Sequence, residues 1–172
     1  MTTIWRFLKV FTLGTWVGGF IFFGFFVAPV LFTTMKDMDQ AGAIVGLLLW
    51  RLHILGIIAA IIYLVVAVVA ARSWKGLLQP ASILVIIMLL VTLVSQLWVM
   101  PSMGNLRQQM GSYMNTPANN PLRVQFDHLH VLSTRLEGSV FILGLIALFL
   151  TVWQRVRQPL PGAASVPAST IK

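Results

Sequence analysis

Charged residues are absent from four long stretches of the chain, and these stretches predict its elements. Val10–Met35 carries no charge, against the roughly 20 residues that cross a bilayer core. Leu52–Ala71 is a second uncharged run, and its apolar pattern continues upstream through AGAIVGLLLW, interrupted only by Arg51. Gly76–Leu106 is a third, with Pro80 placed for a first helical turn and Pro101 near its far end. Gly138–Gln154 is too short to cross alone and must borrow from the residues before it. Basic residues precede the first run, but its apolar length exceeds a signal-peptide h-region, so it reads as a retained span.

The predicted architecture is an all-α integral membrane protein: a four-transmembrane-helix antiparallel bundle with spans at about 8–32, 41–72, 80–101 and 129–154. Helices three and four are expected to extend outside the bilayer, turning in NTPANNP and re-entering with Pro121 in the first turn of helix four. The tail over 158–172, rich in Pro, Ala and Ser, is expected to be disordered and cytoplasmic. The pairs Gly14/Gly18 and Gly42/Gly46 predict close helix packing within the bundle.

Composition supports a lipid environment: 58% of residues are hydrophobic and 9% charged, where soluble domains carry about 25% charged. The formal charge of +8 points to an anionic lipid surface and not to nucleic acid, since no polar domain carries it. With no cysteine in the chain, disulfides and thiolate chemistry are excluded. Alternating the spans places Arg6, Lys9, Arg72, Lys75, Arg155, Arg157 and Lys172 on one side. Lys36, Arg51, Arg107, Arg123 and Arg135 fall on the other, with all four acids. This bias assigns both termini to the cytoplasm of a multi-pass protein, in a bacterial inner membrane.

Counting outward along each span brings Pro29, Arg51 with His53, Gln96 with Trp98, and His130 with Arg135 and Glu137 to one level. The stretch FDHLHVLSTRLEG, Phe126–Gly138, supplies one wall of this polar layer, in which His130, Ser133 and Glu137 share a helical face. The candidate ligand-binding residues are therefore Arg51, His53, Gln96, His130, Ser133 and Glu137, with Arg51 the expected partner of Glu137 because a charge near lipid needs matching. Methionines gather on the same side, Met100, Met103, Met110 and Met114 forming one stripe. Thioethers beside imidazoles suit a soft cation such as Cu(I), which makes His53, His130, Met100 and Met103 weak metal candidates. His53 opposite His130 is the one pair placed for a bis-His haem b. No cofactor is the leading expectation, and no catalytic motif is present, so the chain is read as a non-enzyme.

The segments GTWVGGFIFFGFFVAPVLF, LWRLHILG, QLWVMP and FDHLHVLS, with Phe126, His130 and Ser133 in an F-x-x-x-H-x-x-S entry to helix four, resemble the transmembrane protein 205-like family. That resemblance spans about residues 10–155. It implies a four-helix membrane protein of no settled biochemical activity, with a eukaryotic member linked to platinum-drug resistance. Three functions compete: binding or passing a solute or soft metal ion at the outer polar layer, a structural or assembly subunit of a homo-oligomer or larger membrane complex, and a haem b protein.

Overall fold

The structure is a computed structural model and describes residues 3–153. The predicted disordered tail lies outside the described residues. Four helices are long and apolar enough to cross a membrane: α1 (Thr3–Thr34), α2 (Met38–Ala71), α3 (Pro80–Met110) and α4 (Pro121–Trp153). No strand occurs among the described residues. At about 1.5 Å per residue each helix is roughly 46–51 Å long, which exceeds the ~30 Å hydrocarbon core and leaves turns of helix beyond it.

Local sequence sets the boundaries. Asp37 caps α2, its carboxylate accepting from the Asp39 and Gln40 amides, and Arg72 ends the helix in a left-handed conformation. Pro80 and Pro121 occupy first helical positions, where the missing N–H costs nothing. Gly111, at φ 71°, stops α3 in a conformation that a side chain resists.

Prolines inside α1 and α3 are accommodated differently. Pro29 and Pro101 lack the N–H that an α-helix needs there, and their rings press on the carbonyl four residues back. Each is preceded by one π turn, Phe23–Val27 in α1 and Ser95–Val99 in α3. The Ala28 amide bonds to the Phe23 carbonyl and the Met100 amide to the Ser95 carbonyl, so the helix widens and continues without breaking.

The helices form an antiparallel bundle in which α1 and α3 each pack between α2 and α4. Towards the end that holds Thr3 and Trp153, here the proximal end, the core is close-packed around Trp16, Tyr63, Val85, Met88 and Val140. A Cβ at Gly56 would fall on the Trp16 indole, and one at Gly144 would lie 2.7 Å from Val17 Cγ2. Lys9 is also drawn into this end, with Nζ donating to Gln79 Oε1 at 3.4 Å and lying 5.2 Å from the Tyr63 ring centroid. Past the π turns the arrangement changes. The Ala28–Thr34 end of α1 packs on α2 and the Met100–Met110 end of α3 packs on α4, so the α1–α2 and α3–α4 hairpins part. Gly14, Gly18 and Gly46 have open space where a Cβ would stand, so the expected close packing at Gly14/Gly18 is corrected. A small-xxx-small pair marks a face without saying whether a neighbour covers it.

Candidate functional site

At the depth where the hairpins begin to part, α2, α3 and α4 bring four polar side chains together. His53, fully buried, faces Gln96 with Nδ1 (2.9 Å to Oε1) and Glu137 with Nε2 (2.9 Å to Oε1). The Ser95 hydroxyl donates to the same Glu137 oxygen at 2.8 Å. The π turn of α3 contains both Ser95 and Gln96, and the two neighbours are buried together. An α-helix turns about 100° per residue and would separate them further; the wider π turn lets one bind Glu137 and the other His53.

Both ring nitrogens of His53 face oxygens, Nδ1 the Gln96 amide oxygen and Nε2 the Glu137 carboxyl, so the ring is held from two sides. Ser95 and His53 thus meet on one oxygen of Glu137, the hydroxyl from α3 and the ring from α2. The other carboxyl oxygen, Glu137 Oε2, is buried and has no hydrogen-bond partner among the described residues. Leaving such a group unpaired costs about 1–3 kcal/mol, more when charged.

Glu137 is part of the floor of a cavity of about 650 Å³ between the hairpins. Its walls are Phe20, Phe23 and Phe32 of α1, Val45 and Leu49 of α2, Met100 and Met103 of α3, and Phe141 of α4. The roof is a polar cap. Asp39 accepts from the Ser112 hydroxyl (2.6 Å) and the Tyr113 amide (2.9 Å), and the Tyr113 hydroxyl donates to Asp127 at 2.9 Å. Arg123 lies over the Tyr113 ring, 4.3 Å from its centroid, and donates to the Thr116 carbonyl. These contacts tie the start of α2 to the α3–α4 connection, closing the distal end while the helices below stay apart. Sideways, between α1 and α4, the lining residues Phe25, His130 and Thr134 are exposed and leave the cavity open.

The candidate residues therefore separate. His53, Gln96 and Glu137 meet directly, and Ser133 and His130 line the same cavity as Glu137. His130 is exposed and stacked on Phe126, with ring centroids 6.4 Å apart. Arg51 does not pair with Glu137: it lies exposed, 5.1 Å from the Trp50 ring centroid, and His53 takes its expected place. Two residues along a helix is about 200° of rotation, so with His53 inward Arg51 must point out. A haem reading does not fit this geometry, since both His53 nitrogens are already engaged. Met38, Met100, Met103 and Met114 line the cavity wall, but no group of three His, Cys, Asp or Glu side chains able to hold a metal occurs among the described residues. Ser95 and the cavity itself were not among the sequence expectations; the signal for Ser95 was its place beside Gln96 and ahead of Pro101.

A family model described as a domain of unknown function (DUF4149) matches residues 11–112. No curated protein and no solved structure matches the chain. The matched segment contains His53, Ser95 and Gln96 and ends before the helix that carries Glu137.

Proposed function

The chain belongs to the DUF4149 family, and from that premise we propose that it is a non-catalytic, multi-pass membrane protein that binds an apolar molecule carrying a hydrogen-bond donor. The donor, a hydroxyl or amine, is anchored on Glu137 at the floor of the cavity. The observation that carries this reading is Glu137, whose Oε2 is buried without a hydrogen-bond partner among the described residues, and which lines a cavity walled at its level mainly by Phe, Met and aliphatic side chains, with polar residues towards its roof and side. A ligand donor would supply the missing hydrogen bond, and the Phe and Met walls would take its hydrocarbon part. Entry is sideways, between α1 and α4. The resemblance to transmembrane protein 205-like proteins and the bias of basic residues support a bacterial inner-membrane setting with both termini cytoplasmic.

Depth supports the same reading. Exposed Phe25, Phe26, Val30, Leu47 and Leu48 continue an apolar surface on α1 and α2 beyond the His53–Glu137 level. That surface supports a position for the polar pair inside the hydrocarbon, where unmatched ionisable groups are functional candidates by default. The test is thermal unfolding of the purified protein in maltoside micelles with dodecylamine, dodecanol or dodecane. Dodecylamine and dodecanol raise the Tm; dodecane does not. Glu137→Gln abolishes the amine effect, and Gly24→Leu, which fills the cavity from a position with no neighbour within 4 Å, abolishes both. Equal protection by dodecane, or protection that survives Gly24→Leu, would sink the reading.

A further inference from the structure

A second site adjoins the cavity, between α2 and α3. Arg107, on the distal part of α3, reaches across to α2, where its guanidinium stands 2.7 Å from the position a Gly42 Cβ would take. It also lies over the Phe126 ring, 5.4 Å from its centroid. Its Nε is buried without a hydrogen-bond partner among the described residues. The nearby carboxylate of Asp39 is already engaged by Ser112 and Tyr113 and makes no ion pair with Arg107 within 4 Å. Arg107 lines both the cavity above Glu137 and an adjoining groove of about 570 Å³ between α2 and α3. Glycines make the groove: Gly46 and Gly104 line it with open space where side chains would stand, and Met100 and Met103 form its apolar wall.

The level of Arg107 decides what would fit. Eleven residues separate Gly42 from His53 on α2 and Gln96 from Arg107 on α3, so both helices place the guanidinium about 16 Å distal to the buried His53–Gln96 contact. From His53 to the proximal end of α2 at Ala71 is roughly another 27 Å. Together these distances match the ~40–45 Å thickness of a bilayer with its headgroups, which sets Arg107 at the distal phosphate level. A planar guanidinium with unused donors is matched to a phosphate, which it can hold through two parallel hydrogen bonds. We infer that the α2–α3 groove is a phospholipid site in which Arg107 holds the phosphodiester and the glycine-opened groove takes an acyl chain along Met100 and Met103. This site does not depend on the ligand proposed for the Glu137 cavity.

Native mass spectrometry of the detergent-purified, delipidated protein tests it, with phosphatidylglycerol or the diacylglycerol of the same chains added back. Wild type retains one phosphatidylglycerol, at least tenfold more tightly than the diacylglycerol. Arg107→Gln reduces that retention about tenfold, and so does Gly104→Leu, which fills the groove and leaves the other cavity open. Glu137→Gln retains the lipid as wild type does, which separates this site from the deeper one. Helical content by circular dichroism is measured for each variant, and retention by Gly104→Leu decides the matter if Arg107→Gln fails to fold. Equal retention of the two lipids, unchanged retention in both groove variants, displacement of the lipid by inorganic phosphate, or a dimer that excludes lipid would each overturn the assignment.

Discussion

The proximal and distal halves of the bundle use the same residue types to opposite ends. In the proximal half, Gly56 receives the Trp16 indole and Gly144 receives Val17 and Met88, while Gly14 and Gly18 of α1 have no neighbour where a Cβ would stand. In the distal half, Gly24, Gly46, Gly104 and Gly138 face open space, and the cavity and groove lie there. The boundary is chemical as well as geometric. Two π turns and the His53–Gln96–Glu137–Ser95 cluster sit where the packing changes. Transmembrane helices associate through close van der Waals contact and interhelical hydrogen bonds, since lipid is as apolar as the core they form. A bundle can therefore be stapled at mid-height by polar groups, stabilised below by packing, and left open above.

Breaking the staple should have the largest effect. His53→Leu leaves Glu137 with the Ser95 hydroxyl but without the imidazole, and the loss of one member of a buried pair costs about 3–5 kcal/mol. Adding Glu137→Leu to the same chain should restore most of that stability, because an apolar pair of suitable volume carries no uncompensated charge. Reversible unfolding in mixed micelles measures both. If the double variant is as unstable as the single, the two residues are not coupled and the staple account fails.

Closing the proximal contacts comes next. Gly144→Ala adds a methyl group 2.7 Å from Val17 Cγ2 and 3.1 Å from Met88 Cε, and overpacking of this kind costs about 1–3 kcal/mol. Gly56→Ala should act in the same direction, its methyl falling on the Trp16 ring. Unfolding as stable as wild type in both variants would mean that the proximal half is looser than its contacts indicate.

The sequence carried the helices clearly because long uncharged runs and first-turn prolines mark them directly. It also carried the level of the site: counting residues from the ends of the spans brings His53, Gln96 and Glu137 together without any knowledge of their contacts. Rotation about the helix axis was less legible. α2 is apolar on nearly every face, so no stripe says which side is inward, and the larger charge of Arg51 made it the expected partner of Glu137. The fully buried ring of His53 holds that place instead. Ser95 was not legible because its inward turn depends on the π geometry ahead of Pro101. The cavity and groove were not legible because they arise where helices fail to pack, and a glycine in sequence looks the same with a neighbour above it or without one.

The smallest expected effect has the opposite sign and gives the finest test of the contrast. Gly46→Ala, Gly104→Ala and Gly138→Ala place a methyl group where nothing lies within 4 Å. Each position is inside an α-helix, on α2, α3 and α4 in turn. Glycine in a helix gives up more backbone freedom on folding than alanine, so with no clash to offset it the exchange should stabilise by about 0.5–1 kcal/mol. Gly138 and Gly144 lie on one helix, six residues apart, yet the same substitution should raise stability at the first and lower it at the second. The experiment compares the two alanine variants in one unfolding assay. Matching signs would erase the distinction between an open distal half and a packed proximal one, whereas opposite signs would locate its boundary between those two residues of α4.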